Sequence, residues 1–441
     1  MKILSIETSC DETALSILEA EGSFADENNP IKFQILANNL ISQINLHKEY
    51  GGVFPTLAKR EHSKNLIPLF AKTLTEAKLS APRAKFNPLS PWSAKWIKVK
   101  EILGREPELL KLFLEYIPTI KIPEIDTIAV TQGPGLEPAL WVGINFAKAL
   151  SLVWDKPLIP VNHMEGHLLA SLISPKSKVQ SSKINKINFP AIGLLISGGH
   201  TELILINPSA DGWIHYEKIG QTLDDAVGEA FDKVARMMNL PYPGGPEISK
   251  LAQTNRKKLS NSVTQKIKLP RPMLHTDDFN FSFSGLKTAV LYLIKKLKES
   301  LPADKAGNNL KELPIEIKQQ IAQEFEEAIV EVLLKKTQTA IEKFGAHTLI
   351  LGGGVTANSR IRQAFQSLSA PSAKLKVLIP DIEFSTDNAV MIGIAGYFRF
   401  LEQNSKPIIK QEKGQPPKVV ALEAKGNLSL SSTKQDPIEQ K

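Results

Sequence analysis

Residues 127–170 read TIAVTQGPGLEPALWVGINFAKALSLVWDKPLIPVNHMEGHLLA, and this stretch decides the class of fold. A run rich in β-branched residues at 127–131 is followed by a helical stretch at 139–153 and a second strand-like run at 157–161. Strand, helix, strand is the grammar of an α/β protein. Upstream, three strand-like runs at 2–7, 13–19 and 33–41, separated by polar turn formers, predict a meander, and 56–79 predicts a helix. The same order recurs downstream: strands at 191–196 and 202–207, a helix at 223–239, later helices, then strands at 348–351 and 374–379. The chain therefore reads as two versions of one plan. Residues 1–150 form a first lobe, completed by a helix over 386–402, and residues 151–385 form a second. No short-period repeat points to a solenoid or propeller.

The 441 residues exceed what one hydrophobic core organises, which agrees with two lobes. Apolar residues make up 42% and charged residues 23%, and no apolar run reaches the length of a membrane span, so the composition is that of a soluble globular protein. A single cysteine, Cys10, excludes an internal disulfide, and the amino terminus lacks the long apolar region of a secretory signal; both fit the cytoplasm. The net charge of +8 calls for an acidic partner such as nucleic acid. Two stretches concentrate it. Arg83, Lys85, Lys95, Lys98 and Lys100 are interleaved with Phe86, Trp92 and Trp96, and a second group holds Lys176, Lys178, Lys183 and Lys186. Residues 80–121 read as an insertion on the first lobe, either an ornament or an aid in holding RNA. Residues 403–441, rich in Lys, Gln, Ser and Pro, read as a disordered tail.

Asn162-His163-Met164-Glu165-Gly166-His167 follows the second strand of the opening stretch. On a helix, positions four apart share a face, so the two imidazoles are placed either to bind one metal ion or to pack in a core. A metalloprotease sets its general base directly after the first histidine, as H-E-x-x-H; Glu165 comes one position later, which disfavours proteolysis. Ser197-Gly198-Gly199-His200-Thr201 lies between two strands and is either a plain hairpin turn or a loop offering bare backbone N–H groups to a phosphate. Gly352-Gly353-Gly354-Val355-Thr356-Ala357-Asn358 follows a strand and opens a helix, a junction at which nucleotides bind. Between them Val227, Phe231, Val234 and Met238 form a helical core stripe, while Asp225, Glu229 and Asp232 line another face, for ribose hydroxyls or for solvent. Pro243-Gly244-Gly245-Pro246 makes a rigid turn that a base or sugar can approach closely. The loop ETSCDET at 7–13 gathers acids and hydroxyls in the position of a first phosphate loop; no base stands beside Cys10, which reads as a small buried residue. Asp387 precedes an apolar helix, which it can cap while also ligating a metal.

Together these motifs resemble the TsaD family, the tRNA adenosine threonylcarbamoyltransferases once described as O-sialoglycoprotein endopeptidases. The resemblance is carried by ETSCDET, GGVFPTLAKREH (51–62), GPGLEPALWVG (133–143), HMEGH, SGGHT, GEAFDK, YPGGP, FSFSGLKTAV (281–290), GGGVTAN and TDNAVMI (386–392). It leaves out residues 80–121, 174–190 and the tail. It implies a two-lobed actin-like ATPase fold with a nucleotide held in the cleft beside a metal. One divalent ion, Fe2+ or Zn2+, is implied at His163, His167 and Asp387, and an adenylate pocket at Leu195, Ile196, Ser197, Gly198 and Gly199 with Asp232, Gly245 and Asn358. The implied reaction carries the threonylcarbamoyl group from threonylcarbamoyl-AMP to N6 of adenosine 37, in the anticodon loop of tRNAs reading codons that begin with A, and releases AMP. A paralogous dimerisation partner (TsaB-like) and a small ATPase (TsaE-like) are implied with it, and no membrane. Because the adenine amine is a weak nucleophile, a carboxylate should take its proton; Asp11 and Glu12 are the candidates. The alternatives are a metal-dependent protease, a small-molecule kinase of the same fold, and a non-enzymatic nucleotide switch with a structural metal.

Overall fold

A computed structural model describes residues 1–23, 29–82, 94–173, 182–208, 214–259, 267–300, 312–369, 374–405 and 422–432. It divides the chain into two compact units, Met1–His47 with Val53–Lys186 and Asp387–Lys441, and Lys48–Gly52 with Ile187–Thr386.

The first unit is built on strands β1 (Lys2–Glu7), β2 (Glu12–Glu21), β3 (Lys32–Ser42), β4 (Thr127–Gly133), β5 (Leu158–Asn162) and β6 (Ser182–Lys183), in the order β5-β4-β1-β2-β3-β6. The first three run antiparallel, whereas β4 lies parallel to β1 and β5 to β4, which need crossovers. Helix Glu137–Trp154 makes the second crossover; Pro138 stands at its start, where the missing N–H costs nothing, and Asp155 ends it in the left-handed region at φ 54°. Every residue of β1 beyond Lys2 is buried, as in a central strand covered on both faces. Helix Ala389–Ser405 comes close enough to the sheet that a Cβ on Gly393 would lie 2.4 Å from Ser5 Oγ, and one on Gly396 2.7 Å from Ala129 Cβ. Small residues at those two positions are what allow that approach.

Three expectations change here. Residues 151–186 fall in the first unit rather than the second, because β5 pairs with β4 and carries its following helix with it. The described part of the insertion forms helices Ala94–Ile102 and Pro107–Tyr116, and Trp96, Val99, Leu109 and Phe113 join the core around Phe70 and Phe146. Trp96 meets Phe113 edge-on at 6.4 Å, so it is a packing residue and is not available to stack on RNA. Arg83, Lys85, Phe86, Trp92, Lys176 and Lys178 lie outside the described residues. The helix expected to end near 402 runs to Ser405, and residues 422–432 of the supposed disordered tail are docked on the first unit. Lys425 N–H donates to Gln132 O (2.9 Å), Gly135 N–H donates to Gly426 O (3.1 Å), and Leu422 and Leu430 are buried. Composition alone had concealed two isolated leucines that find a core.

The second unit repeats the plan. Strands β7 (Ala191–Ile196), β8 (Thr201–Pro208) and β9 (Ile214–Gln221) form the antiparallel meander, and β10 (Thr348–Gly352) and β11 (Lys376–Leu378) add in parallel to give the order β11-β10-β7-β8-β9. Apart from the two-residue edge strand β6, this matches the first sheet strand for strand, which is the duplicated α/β plan read from the sequence. The core stripe of helix Val227–Met237 is buried as expected at Val227, Phe231 and Val234. No helix among the described residues is long and apolar enough to cross a membrane.

Candidate functional site

The first unit brings His163, His167 and Asp387 together. Asn162 ends β5 and caps the next helix, His163–Ala170, its Oδ1 accepting from the N–H groups of Met164 (2.9 Å) and Glu165 (3.3 Å). That helix buries both imidazoles, with ring centres 4.7 Å apart. Asp387 comes from the start of the last long helix. Capping there falls to its neighbour Asn388, whose Oδ1 accepts from Met391 N–H (3.0 Å), and this leaves the Asp387 carboxylate to face the histidines. Asp387 Oδ1 lies 3.1 Å from His167 Nε2 and 3.4 Å from His163 Nε2, and one ligand atom from each of the three residues lies within 4.8 Å of the others.

This donor set fits a divalent metal ion. Bonds of about 2.0–2.2 Å in a tetrahedral site put neighbouring ligand atoms roughly 3.4 Å apart, close to the spacings found here. Two imidazole nitrogens and one carboxylate oxygen suit Zn2+ or Fe2+. The Nδ1 atom of His167 is buried with no hydrogen-bond partner among the described residues. The Asp387 side chain keeps 22% of its surface exposed, which gives the otherwise buried group an open side. Burial opposes charge on Asp387, but His163 and then His167 outweigh it and hold the carboxyl well below the ordinary range. Burial also keeps His167 neutral, the form in which imidazole ligates a metal. Glu165 is taken up elsewhere, by Arg399 Nε at 2.9 Å, and is not placed as a protease base.

Around this cluster lies a layer of residues to which sequence reasoning gave no part in the metal site. Glu7 Oε2 lies 3.0 Å from His163 Nδ1 and accepts from Thr131 Oγ1 at 2.5 Å, while Oε1 accepts from Ser9 N–H at 2.5 Å. Ser9 Oγ stands 3.2 Å from the same His163 nitrogen. The signal available in the sequence was a glutamate at the end of a buried central strand, a position that has to be partnered. The rest of the loop is held by buried His62, which donates from Nε2 to Cys10 O (3.0 Å) and accepts at Nδ1 from Thr13 Oγ1 (2.8 Å). Asp11 and Glu12 share a side-chain hydrogen bond, and Ser42 Oγ donates to Glu12 at 3.1 Å. Burial, followed by the charges of Asp387 and Asp11, pushes Glu12 up to about 9. Cys10 is half-buried, and burial together with the acids around it raises its thiol well above the usual value, so it is no nucleophile.

The second unit contains the glycine loops. Leu195 and Ile196 end β7, and Ser197–His200 is a tight hairpin closed by Ser197 N–H to His200 O (2.8 Å). It is a turn, as one reading had it, yet a Cβ on Gly198 or Gly199 would meet nothing within 4 Å, so that side is open to a ligand. The start of helix Val227–Met237 abuts the hairpin, and a Cβ on Gly228 would lie 2.7 Å from Ser197 O. Gly353, at φ 93°, lies against Ile196, where a Cβ would come 2.5 Å from its carbonyl oxygen. Asp232 receives the N–H groups of Gly244 (2.7 Å) and Gly245, so it organises that turn. Asp225 and Glu229 pair with Lys233, and Asp225 also with Lys287, so these two carboxylates serve ion pairs. Asn358 caps helix Ser359–Gln366 through Oδ1 and donates Nδ2 to Glu326 Oε1 (2.6 Å), so its side chain is internally engaged.

A family model described as tRNA N6-adenosine threonylcarbamoyltransferase matches residues 34–84 and 109–394. A protein of that name from Thermosipho africanus is 41% identical over 399 residues, covering 90% of this chain and 94% of the relative. One from Persephonella marina is 39% identical over 408 residues, covering 92% of each, and one from Neisseria gonorrhoeae is 35% identical over 407, covering 90% and 93%. Among solved structures, full-length HypF in its phosphate- and nucleotide-bound form aligns over 91% of this chain and 46% of that one, with 11% identity and a TM-score of 0.45. The matched stretches include the histidine pair, the glycine loops and Asp387, and omit residues 1–33, all of helix Ala94–Ile102 and the docked residues 422–432.

Proposed function

The chain belongs to the tRNA N6-adenosine threonylcarbamoyltransferase family, and from that premise we propose how its residues share the work. It is a transferase that places a threonylcarbamoyl group on N6 of an adenosine in tRNA, forming t6A. The donor in our reading is threonylcarbamoyl-AMP and the acceptor is adenosine 37, presented by an unstacked anticodon loop, the form of RNA that proteins read most readily. AMP leaves.

The observation that carries this reading is the meeting of His163, His167 and Asp387, two residues of one helical turn with a third brought from 220 positions away. When bound there, an Fe2+ or Zn2+ ion supplies Lewis acidity toward the donor's carbonyl. The protein's own part is to hold three ligand atoms at metal spacing and to keep one side of Asp387 open. In the second unit, Leu195, Ile196, Ser197, Gly198 and Gly199 turn a bare hairpin outward, and the positive end of the abutting helix favours a phosphate there. Asp232 and Gly245 shape the turn that receives the sugar or base, and Asn358 anchors the helix behind the glycine run.

Asp11 and Glu12 take different parts in our reading. A carboxyl pushed up to about 9 keeps its proton at neutral pH, so Glu12 donates to its neighbour and Asp11 accepts the proton from the adenine amine. A TsaB-like dimerisation partner and a TsaE-like ATPase complete the system, and the cytoplasm, where tRNA is found, is its place. The test is incubation with threonine, bicarbonate, ATP, unmodified tRNA, an adenylate-forming enzyme and the two partners, followed by mass analysis of the nucleosides. Appearance of t6A that depends on this chain, and its loss on chelation, is the expected result. Metal uptake without any modified nucleoside would favour the nucleotide switch.

A further inference from the structure

Glu7 is fully buried and its carboxylate sits among donors: Ser9 N–H on Oε1, Thr131 Oγ1 and His163 Nδ1 on Oε2. The donors come from three elements, the loop after β1, the end of β4 and the helix after β5, so the oxygen positions are fixed by the sheet itself. An imidazole has two nitrogens, and a carboxylate against one of them fixes both the tautomer and the ring plane. Here the nitrogen against Glu7 is Nδ1, while Nε2 is the one that points to Asp387 at 3.4 Å.

We propose that Glu7 is the positioning residue of the metal centre: by accepting the Nδ1 proton of His163 it turns the Nε2 lone pair toward the space shared with His167 and Asp387. This rests on the reading of those three residues as metal ligands. Ser9 Oγ is a second neighbour of Nδ1, but a hydroxyl both donates and accepts and so does not select a tautomer, whereas an ionised carboxylate only accepts. Thr131 and the Ser9 amide hold Glu7 in place, so the orientation is imposed before any ion arrives.

The test compares wild type, Glu7→Gln and Ser9→Ala as metal-free full-length proteins, titrated with Zn2+ against a chromophoric chelator and with Co2+ while visible absorption is recorded. A carboxamide has one acceptor oxygen where the site needs two, so Glu7→Gln should lose roughly 10- to 100-fold in Zn2+ affinity and shift the Co2+ bands, with Ser9→Ala close to wild type. Glu7→Gln with affinity within about twofold of wild type and unchanged bands overturns the proposal, as does a loss confined to Ser9→Ala. Should Glu7→Gln fail to fold by circular dichroism, Zn2+-loaded wild type with 15N-labelled histidine decides. Nδ1 of His163 must carry the proton, and a ring ligating through Nδ1 ends the idea. Failure of wild type to take up either ion sinks the metal reading itself, whereas equal binding by wild type and Glu7→Gln removes only the role of Glu7.

Discussion

Replacing Leu430 by alanine tests whether residues 422–432 are an integral part of the first unit. The side chain is 1% exposed, and truncating a buried leucine to alanine costs about 2–5 kcal/mol when the surroundings hold still. Here a ceiling applies, because the segment can let go as a whole. The loss cannot exceed the free energy with which the whole segment docks, which includes Leu422, the bonds of Lys425 and Gly426 to Gln132 and Gly135, and that of Ser429 O to Asn162 Nδ2 (3.3 Å). Thermal unfolding of wild type, Leu430→Ala and a chain ending at Ser405 measures both quantities. A domain of about 150–250 residues shifts by roughly 2–4 °C per kcal/mol, so Leu430→Ala should lower the first transition by about 4–20 °C, and never by more than the truncation does. Hydrogen exchange at the Gly135 amide should rise in both variants, since its acceptor is Gly426 O. A drop larger than that of the truncated chain would refute the reasoning, and so would a Leu430→Ala protein with wild-type melting and exchange.

Other expectations follow from the same geometry. His163→Ala, His167→Ala and Asp387→Asn should each abolish stoichiometric metal in elemental analysis, and dialysis of wild type against a chelator should remove t6A formation until Zn2+ or Fe2+ is restored. Asp11→Asn should keep its metal and lose about 10²- to 10⁴-fold in turnover on tRNA, whereas unchanged turnover and pH dependence would take Asp11 out of the mechanism. Burial depresses His62 from 6.5 to about 4, so the folded protein binds fewer protons than the unfolded chain between those values. Its contribution to stability is present above pH 6.5 and lost as pH falls toward 4, and acid unfolding curves of His62→Gln should be flatter over that window. Gly353→Ala forces a side chain into φ 93° with its Cβ 2.5 Å from Ile196 O, and a loss of about 1–3 kcal/mol is expected in urea unfolding of the second unit.

What the sequence disclosed depended on distance along the chain. The spacing of His163 and His167 is a property of one helical turn and is visible locally, as is the alternation that announced two α/β units. Asp387 could not be tied to them by any local rule, since an acid before an apolar helix reads equally well as its cap; the structure gives that duty to Asn388. Resemblance supplied the link. Trp96 shows the converse, because basic and aromatic residues interleaved along the chain read either as an ornament or as an aid in holding RNA until Phe113, brought alongside by a second helix, buried the ring. The first unit likewise runs on to Lys186 because β5 bonds to β4, and strand pairing is not written into the residues between them.

In the proposed mechanism the seven residues from Glu7 to Thr13 bear on both the metal site and the proton acceptor. Two buried histidines grip it in opposite senses. His163 meets the carboxylate of Glu7 with one nitrogen and the metal cluster with the other, while His62, held neutral by burial, ties the Cys10 carbonyl to the Thr13 hydroxyl. Between those anchors lie Asp11 and Glu12, and burial, followed by the charges of Asp387 and Asp11, raises the proton affinity of Glu12. A displacement of the loop would therefore change ligand geometry and proton affinity together. Variants at Thr13 or His62, which lie outside the cluster of His163, His167 and Asp387, should consequently lower turnover on tRNA and alter its pH profile in step. A variant there that lost stability yet kept the wild-type profile would separate the loop's anchoring from its chemistry.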